Sequence, residues 1–188
     1  SISQLQWIIE AFGIPFCTLL IIMGRLGDIY GHRFFLYFGM VGFGIASLGA
    51  GLSTQPGQLI ACRFLQGIFG ATIFPCGMAL TADVFPQKER GRALGIYAGF
   101  LGIGLAIGPV LGGFIITLAN WRWIFLINIP VILLSFLICL FFVRKTLRSG
   151  KTSIDWGGLF SLVIGLGALV YLLLEGPDMH WSLPFTAG

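Results

Sequence analysis

The chain alternates long apolar stretches with short polar ones. Six stretches, residues 7–23, 34–52, 58–80, 93–119, 123–143 and 156–174, are apolar almost throughout. An α-helix crosses the hydrocarbon of a bilayer with about 20 such residues, whereas a barrel strand needs roughly ten, alternating in polarity. These runs are too long for strands and do not alternate, so each is predicted to be a helix. Backbone in lipid must satisfy its own hydrogen bonds, which leaves no other open form. The predicted fold class is an all-α polytopic membrane protein with about six transmembrane helices.

Composition strengthens this reading. Of 188 residues, 57% are hydrophobic and 10% charged, and the mean hydropathy is +0.96. A soluble domain carries about 25% charged residues, and one of this size has too much surface to hide so much apolar area.

The charges then orient the helices. The segment after the first run carries Arg25 and Arg33, and the segment after the third carries Lys88, Arg90 and Arg92. The segment after the fifth carries Arg144, Lys145, Arg148 and Lys151. The intervening segments hold no charge in "STQPG" and one arginine, Arg122, between Trp121 and Trp123. The final stretch holds Glu175 and Asp178. Basic loops lie on the cytoplasmic side, so the first helix runs inward and the final tail is external. The net charge of +4 is thus spent on topology, which argues against nucleic acid as a partner. Six crossings put Ser1 outside. No charged region precedes an apolar core there, so no signal peptide is read. The expectation is a piece of a longer protein with a helix before Ser1.

Chemistry is sparse. Cys17, Cys62, Cys76 and Cys139 lie in apolar runs without CxxC spacing, as small core residues do. His32 and His180 fall in segments on opposite sides, and no Ser/His/Asp set, HExxH or GxxxxGK[ST] motif occurs. No enzyme, catalytic residue, metal site or cofactor is expected. Gly102 and Gly104 superficially suggest a dinucleotide fingerprint, but no strand precedes them.

Three features remain. Charge within a span is costly and marks function. Glu10 and Arg63 sit at similar depth in the outer third of two inward-running helices, so they are expected to face one interior and interact, with Gln66 and Gly67 following Arg63. The alternative for Glu10 is that it reaches the headgroups. Second, "GLAIGPVLGGFI", residues 104–115, places Gly104, Gly108 and Gly112 on one smooth helical face, with Pro109 predicted to kink it. Gly113 adjoins that face. Third, "GRLGDIYGHR", residues 24–33, packs glycines, arginines, a histidine and Asp28 into one short segment, with Gly24 and Gly31 expected to form a tight turn.

These motifs resemble those of the major facilitator superfamily, and within it the fourteen-helix drug:proton antiporters. "GRLGDIYGHRFFL" is similar to the signature loop between helices two and three. "LIACRFLQGIFGA" is similar to the helix-four motif around a buried arginine, and "GLAIGPVLGGFI" to the helix-five antiporter motif. "ERGRALGIY" and "WRWIFLINIP" resemble the entrances to helices five and six. The resemblance covers nearly the whole chain and numbers its runs as helices two to seven. It implies an incomplete N-terminal bundle at 1–143, a basic cytoplasmic loop at 144–155, an extra helix at 156–174 and a truncated external loop at 175–188.

The same resemblance implies the function: secondary active, proton-coupled efflux of amphiphilic small molecules from the cell membrane by alternating access. The partners it implies are lipid, protons, the exported compound and a C-terminal bundle not included in the chain, with the proton gradient as energy source. An importer of a nutrient, or a non-transporting receptor or scaffold, are the competing readings. Asp28 is implied to latch the cytoplasmic gate against the second bundle, with Gly24, Gly31 and Arg33 in the same loop. Arg63 is implied in proton coupling, and Gly108, Pro109, Gly112 and Gly113 in a seal between bundles. The chain departs from the pattern in two places. Ile29 replaces a basic residue and His32-Arg33 replaces two strong bases, so Arg33 is expected to carry more of the loop's charge network. Glu10 stands where a neutral residue is commoner, which points to cationic substrates or an added proton site.

Overall fold

A computed structural model describes residues 2–143, together with 157–158, 161 and 163–168. The helices are α1 (Ile2–Tyr30), α2 (His32–Leu52), α3 (Pro56–Val84), α4 (Arg90–Leu118), α5 (Arg122–Leu126) and α6 (Asn128–Phe142). Five segments among the described residues are long and apolar enough to cross a membrane, α5 and α6 together forming the fifth. The basic loop at 144–155, the boundaries of the sixth run and the tail at 175–188 lie outside the described residues. Residues 163–168 are helical, and Gly167 lies against Thr18, to which an added Cβ would come within 3.5 Å.

The helices begin and end near the predicted limits, with two instructive differences. First, α1 does not stop at residue 23. It continues through the charged segment to Tyr30, and Gly31 alone breaks it, with φ 102° and ψ 123°. Arginine, leucine and aspartate are compatible with a last helical turn, so polarity alone does not end a helix. The expected role of Gly24 in a turn is therefore corrected: it is helical, and a Cβ there would stand 3.3 Å from Pro75 Cβ across the α1–α3 contact. Second, the fifth run divides at Ile127. Pro130 has no N–H to offer the Leu126 carbonyl, which interrupts the ladder there, although Ile127 keeps helical dihedrals.

Packing centres on α3. Its α1-facing side presents Gly67 to Phe12 and Pro15, and Gly70 to Phe16. Its other side meets α2, where Gly39 and Gly42 receive Ile73 and Phe69. Small residues let helix backbones approach closely, and that close packing drives association in lipid. The buried cluster Leu36, Met40, Cys76 and Leu80 is flanked by Phe35, Ile73, Ile132 and Phe136, which brings α6 onto α2. By contrast, α4 buries only Ala93. It is tethered to α3 where Tyr97 donates to the Phe74 carbonyl at 3.2 Å and stacks edge-on against its ring.

Candidate functional site

Arg63 sits in an uncharged cage assembled by four helices. The close α1–α3 approach at Gly67 brings α1 alongside the guanidinium, whose Nε donates to the Ile8 carbonyl at 3.2 Å. One turn along α3, Gln66 Oε1 accepts from Arg63 Nη1 at 3.2 Å. The Gln66 amide in turn donates to Ser47 Oγ on α2 at 2.7 Å. Gln66 and Ser47 are completely buried. Phe12 covers the guanidinium with its ring centroid 4.5 Å away, and Phe125 of α5 lies at 5.9 Å. Cation–π contacts of this kind are strengthened by desolvation. Two neutral acceptors and two rings thus hold a full positive charge inside the span.

The expected Glu10–Arg63 interaction is not formed. Among the described residues Glu10 has no ion pair or hydrogen bond. The reason is helical phase. Ile8, Ala11, Phe12 and Pro15 make the face of α1 turned to α3, and Glu10 stands roughly 160–200° around the axis from Ile8 and Phe12. Equal depth did not mean equal direction.

The charged segment at the α1–α2 junction splits into two unconnected clusters. Asp28 is a half-exposed carboxylate at the end of α1. Its Oδ1 lies 3.1 Å from His32 Nε2 and its Oδ2 3.7 Å from Arg25. Gly31 turns the chain so that His32, the first residue of α2, folds back onto Asp28. Arg33 points elsewhere: it donates to Tyr37 Oη at 2.8 Å and to the Leu140 carbonyl at 3.3 Å. Tyr37 donates onward to the Cys139 carbonyl at 2.9 Å. Arg33 therefore caps the end of α6 and does not extend the network of Asp28, which corrects the expectation for it.

On α4, Gly104, Gly108, Gly112 and Gly113 lie along an open face, where an added Cβ would meet nothing within 4 Å. Pro109 is contained within one continuous helix. No described element packs on this stripe.

A caged intramembrane arginine, an aspartate at the end of a helix and an unfilled glycine stripe share one chain of apolar helices. The sequence profile of the Major Facilitator Superfamily matches residues 1–174. The chain belongs to that family. It is a multi-pass integral membrane protein. It is similar to Multidrug resistance protein 3 of Bacillus subtilis, with 32% identity over 97% of this chain and 36% of that protein. It is 37% identical to Puromycin resistance protein pur8 of Streptomyces alboniger, over 99% of this chain and 37% of the relative. Tetracenomycin C resistance and export protein of Streptomyces glaucescens is 33% identical over 100% of this chain and 35% of its own length. The chain thus spans about a third of the length of the curated relatives it matches. These relatives are named for resistance and export, not for an enzymatic reaction.

In this member of the Major Facilitator Superfamily, sequence reasoning missed several residues that hold the site. Ser47, Phe12 and Phe125 carried no signal, because nothing local says which helix they face. Gln66 was visible as a polar residue one turn after Arg63. Arg122 stood out in the sequence only as the single charge of its segment. It also donates to the Ser53 carbonyl at 3.0 Å and lies over the Trp121 ring at 4.6 Å, tying α5 to the end of α2.

Proposed function

We propose that this chain is the N-terminal part of a proton-coupled exporter of amphiphilic small molecules, working in the cell membrane by alternating access. The observation that carries the reading is the Arg63 cage. A cation held in the span by a carbonyl, an amide and two rings keeps its electrostatic influence, since no described carboxylate neutralises it. A proton arriving on a nearby membrane acid is repelled by that charge, so its affinity differs between states that bring the acid near or far. An equilibrium between two conformations can be shifted only by such differential affinity. The names of the relatives, which speak of multidrug resistance, puromycin resistance and export, point to outward movement of foreign or secreted compounds. In this reading the proton gradient is the energy source and no cofactor takes part. Asp28 is the inner latch against the remainder of the protein, and the glycine stripe of α4 is the surface on which that remainder slides.

The test is drug susceptibility of cells together with drug-triggered proton flux in vesicles, using the full-length protein. Export with proton movement, abolished in Arg63→Ala and much reduced in Arg63→Lys, is the expected result. Export that persists when the proton gradient is collapsed overturns the coupling, and uptake in place of export would make this a facilitator or importer.

A further inference from the structure

Among the described residues Glu10 is a carboxylate within a span that the site above leaves without a partner. Its position relative to Asp28 is informative. The two are 18 residues apart on one helix that runs unbroken through Pro15. At 3.6 residues per turn, 18 residues are five whole turns, so Glu10 and Asp28 lie on the same face of α1, about 27 Å apart along the axis. That separation matches the roughly 30 Å thickness of the hydrocarbon core. Between them on this face Cys17 and Ile21 are exposed, Ile14 is half-buried and Gly24 packs against Pro75 of α3, while the face at Ala11 and Pro15 is buried against α3. A carboxylate therefore stands at each end of one stripe whose middle, at Cys17 and Ile21, is uncovered.

We infer that Glu10 is the outer counterpart of the Asp28 latch: when the external side closes, it pairs with a cationic side chain on the part of the protein beyond this chain. The argument rests on the reading of Asp28 as the inner latch. If the stripe of α1 faces the second half at its cytoplasmic end, five whole turns make it face the same way at its outer end. A rigid helix rocking between two closures brings only one end into contact at a time, so the two carboxylates are used alternately. The partner is cationic because an apolar or acidic group opposite Glu10 would leave a carboxylate desolvated and uncompensated at closure. Arg63 does not serve, being engaged by Ile8 and Gln66. The role differs from a site for cationic drugs or an added proton site, since a latch acts on every substrate and on the empty protein.

The experiment uses the full-length protein with Cys17 as reporter, every other cysteine being replaced by alanine. Cys17 lies seven residues below Glu10 on the same stripe and is exposed. A membrane-impermeant maleimide added from outside labels it when the outer side is open. Glu10→Gln is expected to raise the labelling rate about two- to fivefold, and Asp28→Asn to lower it by a similar factor, the population shift that one exposed ion pair supports. The double variant returns towards wild type. Glu10→Asp, which keeps the charge on a shorter arm, gives an intermediate rate and guards against a misfolded glutamine variant. An unchanged rate in Glu10→Gln, or shifts of the same sign in both single variants, overturns the inference. Loss of export confined to cationic drugs with unchanged labelling also overturns it. Labelling needs no transport, so it reads the latch even if the exporter reading fails.

Discussion

Replacing Gly67 by alanine puts a methyl group where the α1 backbone already is. The added Cβ would overlap the Phe12 carbonyl oxygen and stand 2.6 Å from Pro15 Cγ and 3.2 Å from the Phe12 carbonyl carbon. None of these is the free end of a flexible side chain, so α1 must move away from α3 by roughly an ångström. Overpacking of this kind costs about 1–3 kcal/mol. The same movement stretches the Arg63 Nε to Ile8 carbonyl bond from 3.2 Å past hydrogen-bonding range, at a further cost of about 1 kcal/mol or more for a charged donor. Against this, alanine is favoured over glycine in a helix by about 1 kcal/mol. The net expectation is a loss of about 1–3 kcal/mol and an impaired Arg63 site. Gly44→Ala is the control, because its Cβ would make only an ordinary contact, 3.7 Å from Ile132 Cγ2. Thermal unfolding of the detergent-solubilised full-length protein, with export measured in parallel, is the assay. A Gly67→Ala protein as stable as Gly44→Ala, with normal export, would refute the close-approach argument.

Three further outcomes are expected. Gln66→Leu leaves the Ser47 hydroxyl and one arm of Arg63 buried without partners, so it should destabilise by about 2 kcal/mol or more in thermal unfolding; Gln66→Glu, which adds a counter-charge to Arg63, should retain fold and lose coupling in the vesicle proton-flux assay. Gly31→Ala forces a Cβ into a left-handed backbone at φ 102°, costing about 1–3 kcal/mol, read as a lowered unfolding temperature. Asp28→Asn should impair export with membrane insertion intact, whereas Arg33→Gln should chiefly loosen α6, lowering thermal stability through the lost ties to Tyr37 and Leu140; the opposite pattern would restore Arg33 to the latch.

The number and helical type of the described spans were readable from hydropathy alone, because lipid tolerates no other backbone arrangement for such runs. The break at Gly31 was readable in part, since glycine is the residue that adopts its dihedrals. The extension of α1 through "GRLGDIY" was not, because charged residues at a membrane edge are as compatible with helix as with loop. The Arg63 motif stood out for its cost in lipid, and so did Glu10. Depth along the axis follows from counting, and Arg63 meets α1 at Ile8 and Phe12, on either side of Glu10.

Direction around the axis is a different quantity. It is set by which face of each helix is small enough for close approach, and that is decided by both partners at once. Gly67 meeting Phe12 and Pro15 turned Ile8 toward Arg63 and left Glu10 pointing away. His32 folding onto Asp28 sent Arg33 to the end of α6. The sequence by itself determined a membrane helical chain and the costly residues within it. Only the tertiary structure decided which of those residues meet, because hydrophobicity is proportional to area and has no direction, whereas packing and hydrogen bonds do.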